Sequence, residues 1–234
     1  YVVRSNQWNQ DATVTKVGAV TWGSGTAGVS GTVSAANSLV GSTKDDQVGD
    51  FGVSALSNGN FVVVSTLWDK AGVADVGAVT WGHGATGITG AVTYTNSLVG
   101  STSNDKVGSG GVTALSNGNY VVQSSMWDGT AVNVGAVTWG NGATGVSGLV
   151  SATNSLVGST ANDQVGGTGV TALSNGNYVV RSSWWDGSAA NVGAVTWGNG
   201  AGGTVGQVAV GNSLIGSTAN DQVGGTGVTG LSNG

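Results

Sequence analysis

The hexapeptide Gly-Ala-Val-Thr-Trp-Gly begins at Gly18, Gly77, Gly135 and Gly193. Recurrence at a period of about 58 residues restricts the chain to architectures in which one small unit is used repeatedly. The copies run over 1–60, 61–119, 120–177 and 178–234. Each carries a Tyr/Phe-Val-Val segment, a Trp, the hexapeptide, Asn-Ser-Leu-Val/Ile-Gly, and Gly-Val-Thr/Ser-Ala/Gly-Leu. A unit this short cannot bury a core alone, so the copies must pack on one another as a single domain, 1–234.

Composition narrows the class. Hydrophobic residues make up 39% of the chain and charged residues only 7%, which is unlike the polar, highly charged composition of disordered segments. Glutamate, proline and cysteine are absent, so disulfides and thiolate chemistry are excluded. The net charge is −5, and the cations Arg4, Lys16, Lys44, Lys70, Lys106 and Arg181 are scattered. That argues against nucleic acid, which is gripped by clustered Lys and Arg. No apolar run approaches a membrane span, so no membrane insertion is expected. With no initiator Met and no signal peptide, Tyr1 reads as an internal residue of something longer. A weakly charged Gly/Ser/Thr/Asn surface suits the exterior of a bacterium, an extracellular or cell-surface setting.

The apolar runs are short, β-branched and bounded by glycine, the pattern of strands. In the third copy they fall at 120–125, 134–139, 148–157 and 169–173. Asn-Gly within Ser174-Asn175-Gly176-Asn177 predicts a hairpin with a type I′ turn, since both residues tolerate positive φ. From the hexapeptide Gly to the next Tyr or Phe is 43 residues each time, whereas Trp to that Gly varies over 10, 9, 8 and 8 residues. Strand register does not tolerate such slips, so the variable segment is predicted to be a solvent-facing loop.

Four antiparallel strands repeated radially describe an all-β propeller of four blades. Residues 227–231 would complete the blade begun by Tyr1 and close the ring. Two chains exchanging that terminal strand would instead form an eight-bladed homodimeric ring. A β-solenoid is the competing architecture.

The order of motifs resembles the FG-GAP repeat of integrin-α-type propellers. Asp46-Gln47-Val48-Gly49, Asp105-Lys106-Val107-Gly108, Asp163-Gln164-Val165-Gly166 and Asp221-Gln222-Val223-Gly224 stand where that family opens with Asp-x-Phe-Gly. Tyr120-Val121-Val122 and its equivalents match the second strand, and Gly135-Ala136-Val137-Thr138-Trp139 the third. The resemblance implies that Gly-Val-Thr-Ala-Leu lines a central axis and that Asn-Ser-Leu-Val lies at the rim. The family's calcium loop is replaced by Ser-Asn-Gly-Asn, which has no carboxylate, so neither calcium nor any other metal or cofactor is expected. The copies are also similar to repeat arrays of bacterial haemagglutinin-like surface proteins, which implies adhesion.

Catalysis finds little support. His83 is the only histidine, and its counterparts are Ser24, Asn141 and Asn199; no partner repeats beside it, so no enzyme is expected. Trp22, Trp81, Trp139 and Trp197 end a strand and are expected to pack between blades. Trp8, Trp68, Trp127 and Trp185 open the variable loop, three of them followed by Asp69, Asp128 or Asp186. On the same face are expected Asn104-Asp105, Asn162-Asp163 and Asn220-Asp221. Aromatic plates beside Asn and Asp would suit a glycan, or a protein of a host or neighbouring cell, bound multivalently. Against this stands the plainer reading, that Asn162-Asp163 and Asp128-Gly129 form Asx-type turns. His83 and the Asn-Gly hairpins are expected on the opposite face. The sequence thus supports a multivalent surface adhesin, with a structural spacer as the rival.

Overall fold

The computed structural model describes residues 1–232. The chain forms eighteen strands and no helix among these residues. In chain order they are β1 (Val2–Ser5), β2 (Ala19–Trp22), β3 (Ser38–Val40), β4 (Gly52–Ala55), β5 (Phe61–Ser65) and β6 (Ala78–Gly82). Next come β7 (Gly90–Ala91), β8 (Ser97–Val99), β9 (Gly111–Ala114), β10 (Tyr120–Ser124), β11 (Ala136–Gly140) and β12 (Gly148–Leu149). The last are β13 (Ser155–Val157), β14 (Gly169–Ala172), β15 (Tyr178–Ser182), β16 (Ala194–Gly198), β17 (Gly206–Gln207) and β18 (Ser213–Ile215).

Four sheets result, ordered β1-β2-β3-β7, β4-β5-β6-β8-β12, β9-β10-β11-β13-β17 and β14-β15-β16-β18. Each has an antiparallel body. In the third sheet Tyr120 faces Ala114 on one side and Gly140 on the other, and Thr138 faces Ser155. The sheets do not coincide with the sequence copies: β4, β9 and β14 come from the end of one copy and pair with the Tyr/Phe strand of the next. The second, third and fourth sheets each take a strand from the copy before them.

Successive sheets pack face to face around three apolar clusters, one per junction. Between the second and third sheets, Val62, Val64, Val79 and Leu98 meet Tyr120, Val122, Trp127 and Val157. Phe61 and Val63, pointing the other way, join Val20 and Leu39 of the first sheet, and Val121, Val137 and Leu156 join Tyr178 and Val180 of the fourth. Both faces of the middle sheets are therefore covered. This explains the unbroken apolar run Phe61-Val62-Val63-Val64, where a half-exposed strand would alternate. Buried hydroxyls in the sheets satisfy one another: Thr21 with Ser38, Thr80 with Ser97 and Thr138 with Ser155, all at 2.7 Å.

Three expectations change. The third strand of each copy is two strands. In the third copy, β12 pairs parallel with β8 of the preceding sheet, and β13 pairs antiparallel with β11. Asn154 ties the turn between them: its Oδ1 accepts from the Ser151 N–H and its Nδ2 donates to the Leu149 carbonyl. The hairpin turn is not type I′, because only the glycine (Gly59, Gly118, Gly176) has positive φ. Gly59 N–H donates to Leu56 O, and Leu56 N–H to Asn60 O, which is a type I turn followed by a left-handed glycine. In the last copy the Asn-Gly pair lies at 233–234, outside the described residues.

The third change concerns closure. Residues 227–231 form no strand, and β1 pairs only with β2. Among the described residues, no strand pairing or hydrogen bond joins the fourth sheet to the first. The two end faces stay open, with Tyr1 58% exposed at one and Trp197 54% exposed at the other. In the middle of the stack their counterparts Tyr120 and Trp139 are buried and half-buried.

Candidate functional site

The Trp-Asp loops and the Asn-Asp loops do gather at one end of the sheets, where β10 and its equivalents finish. The variable loop is pinched at its base: the N–H groups of Gly18, Gly77, Gly135 and Gly193 donate to the carbonyls of Trp8, Trp68, Trp127 and Trp185. Its length therefore varies only beyond the pinch, and residues 9–13 of the longest loop are exposed.

Asp105 ties these loops together. Its Oδ2 accepts the N–H groups of Ser101 and Thr102, 2.7 and 2.8 Å away, and its Oδ1 accepts the N–H of Asp128 in the next copy at 2.9 Å. Asp46 binds Ser42, Thr43 and Asp69 in the same way, and Asp163 binds Ser159, Thr160 and Asp186. Asp69, Asp128 and Asp186 in turn accept the N–H of Asp75, Asn133 and Asn191 within their own loops. Asp46, Asp105 and Asp163 thus each close a loop and fasten it to the next copy. Asp46, Asp105 and Asp163 are buried. Burial pushes the Asp46 and Asp105 carboxyls above the usual carboxylate value, against the pull of the main-chain donors. Asp221 is exposed and, among the described residues, holds only the Ser217 and Thr218 N–H groups, which draw its carboxyl below the usual value.

Asn104, Asn162 and Asn220 take left-handed backbone conformations (φ 68°, 67° and 66°), in which Asn is tolerated better than most residues. Their N–H groups donate to Ala74, Val132 and Ala190. Asn133 Nδ2 donates to Asn162 Oδ1 at 3.2 Å, and Asn191 to Asn220 at 3.3 Å. These bonds run to the variable loop rather than within the Asn-Asp segment, so the Asn162 side chain joins two loops instead of closing the Asx-type turn expected of it.

The tryptophans divide into two classes. Trp68, Trp127 and Trp185 are 4%, 7% and 6% exposed and belong to the apolar clusters between sheets; Trp8, at the open end, is half-buried. A ring so deeply packed has no face free for a sugar. Beside Trp127 lies a cleft of about 300 Å³ whose polar lining includes Asp128, Thr130, Ser151 and Gln207. Among the described residues, no group of three His, Cys, Asp or Glu side chains converges as a metal-ligand set.

At the opposite end sit the hairpins and His83, which together line a shallow groove. Here the second class of tryptophan works across sheets. Trp22 Nε1 donates to Gly84 O at 2.8 Å, Trp81 to Gly142 O at 3.0 Å and Trp139 to Gly200 O at 2.9 Å. Asn58 and Asn60 also donate to Gly142 O, and Asn117 and Asn119 to Gly200 O. One carbonyl thus collects three donors from the preceding sheet. From sequence these tryptophans are expected between blades, with no sign of the carbonyl that receives them. A groove of about 600 Å³ lies beside the edge of β1, where the sequence predicts residues 227–231.

A family model described as a repeat of unknown function (DUF5650) matches residues 1–50, 55–109, 114–167 and 172–225. No curated protein matches the chain.

Proposed function

The chain belongs to the DUF5650 repeat family, and from that premise we propose that it is a non-enzymatic structural spacer, an array of mutually fastened sheets that displays or separates other parts of a secreted or surface protein. One observation carries this reading: the recurring polar side chains at both ends of the sheets bind the next copy rather than open space. Asp105 holds Asp128, Trp81 holds Gly142, and their equivalents do the same at the other junctions. A chain whose repeated chemistry is internal resists extension and unfolding, which is what a spacer needs.

The blade-like character of the sheets is part of the proposal. Close approaches between successive sheets involve their first strands, β4 beside β9 and β9 beside β14, which supports sheets that fan outward. The FG-GAP-like motif order, the bacterial surface setting suggested by composition and the absence of clustered cations fit the same reading.

The adhesin is the second reading, and the cleft beside Trp127 is the observation that favours it. Its Thr, Ser, Asp and Gln side chains supply the hydrogen-bond donors and acceptors that a neutral sugar takes. Glycan-array binding by the intact chain separates the two. The spacer reading expects no glycan retained above background. Retention that disappears in Gln207→Ala and Ser151→Ala, both outside the buried junctions, would overturn it in favour of the adhesin.

A further inference from the structure

The cleft of about 300 Å³ beside Trp127 lies between the second and third sheets, in the interior of the array. That is a size at which small-ligand sites begin. Trp127, Val150 and Val157 give it apolar walls. Its polar lining is Ser101, Thr102, Thr130, Ser151 and Gln207, and Asp128 supplies its only charge.

Nothing in the chain neutralises that charge. Asp128 Oδ1 is occupied by the Asn133 N–H at 2.7 Å, whereas Oδ2 accepts no hydrogen bond among the described residues. The nearest cation in sequence, Lys106, is engaged with Asp75 at 3.7 Å. After Lys106 the only cation is Arg181, whose Nη1 donates to the Gly224 carbonyl. Asp105 adds a second negative charge close by, since its Oδ2 holds the N–H groups of the lining residues Ser101 and Thr102. A cleft with carboxylates on one side and no cation in its lining concentrates positive ligands. In the second copy Lys70 follows Asp69, where the third has Gly129 after Asp128. There the chain brings an ammonium of its own to the loop, and in the third copy it does not.

We propose that the cleft beside Trp127 takes a primary alkylammonium group, the side chain of a lysine on a partner protein. A lysine stem lies readily along apolar surface while its charged head reaches polar groups, which is the order of surfaces here. The ammonium carries three donors and no acceptor; Asp128 Oδ2 and the oxygens of Thr130 and Gln207 are the acceptors it would meet. Charge complementarity selects this occupant. An anion is repelled, and a neutral sugar uses the hydroxyls but gains nothing from the carboxylate. The inference does not depend on the spacer reading, and it competes with the sugar reading for the same cleft.

Titration of the intact chain with Nα-acetyl-lysine methyl amide, followed at the Trp127 indole N–H resonance, tests it. A saturable shift is expected. The same probe acetylated on Nε keeps the stem and loses the charge, and should bind at least about fivefold more weakly, the worth of one partly exposed ion pair. Asp128→Asn keeps an oxygen for the Asn133 N–H and should weaken the charged probe by about the same factor. Gln207→Ala, at an exposed side chain, should weaken it about threefold. Methylammonium, with the charge and no stem, should bind less tightly than the lysine probe. No shift at any probe concentration, equal binding of the charged and acetylated probes, or binding untouched by Asp128→Asn overturns the proposal. Glucose binding as tightly as the lysine probe overturns it in favour of the sugar reading, and methylammonium doing so overturns it in favour of a site for any small cation.

Discussion

Gly135→Ala should abolish the folded state of the third and fourth sheets. Gly135 enters β11 at φ +74°, a conformation that costs an L-residue about 1–2 kcal/mol. The larger effect is steric. A methyl at this position would overlap the main chain at Gln164 and Val165, where Val165 N–H donates to Val134 O at 3.0 Å. Two backbones cross there in contact, and neither can retreat without breaking the junction between β11 and the loop leading to β14. The combined loss should exceed about 4 kcal/mol, the range reached only by a few named mechanisms. Gly148→Ala is the control: its φ is +96° but nothing lies near its side-chain position. It should lose only the backbone term, about 1–2 kcal/mol. Urea unfolding followed by tryptophan fluorescence distinguishes them, and equal losses in the two variants would contradict the crossing.

The second large effect is at Asp105. Asp105→Ala strips the acceptor from three main-chain N–H groups at once, those of Ser101, Thr102 and Asp128. Hydrogen bonds to a charged group are worth roughly 1.5–3 kcal/mol each, and a buried donor left unpaired adds its own penalty. Because the three share one carboxylate they are not additive, and a loss on the order of 3–5 kcal/mol is expected. Asp105→Asn should lose much of this too, since its amide nitrogen would face N–H groups. The break falls between the second and third sheets, so the single unfolding transition should split in two, as nearest-neighbour coupling along a repeat array implies. Asp221→Ala, at the equivalent but exposed position, should have a small fraction of the effect. Similar losses at Asp105 and Asp221 would show that the inter-copy bond contributes nothing.

Much of the architecture could be read before any coordinates. The period, the strand class and the loop position followed from spacing alone, because register forbids insertions within a ladder but not beyond a pinch such as Trp127–Gly135. What escaped was decided by side-chain bonds that periodicity does not encode. Asn154 splits an apparently continuous run into β12 and β13, and this places β12 in the preceding sheet. The hairpin was located correctly, but its turn type depends on Asn58 staying at negative φ while Gly59 does not. The Trp-Asp loops were placed at the right end, yet Trp127 turned inward: a Trp at a loop mouth reads equally as plate or plug until its neighbours are known. The closure expected from the terminal segments is not seen among the described residues: 227–231 lie in no strand, although they share Gly-Val-Thr with β14.

The most direct test of the stack is hydrogen exchange at the tryptophan indoles in dilute, monomeric protein. Sheets fastened copy to copy predict slow exchange for the Nε1–H groups of Trp22, Trp81 and Trp139, which are bonded to Gly84, Gly142 and Gly200, and fast exchange for Trp197 on the open face. Indoles of Trp22, Trp81 and Trp139 exchanging as fast as that of Trp197 would mean that the sheets do not pack on one another as described.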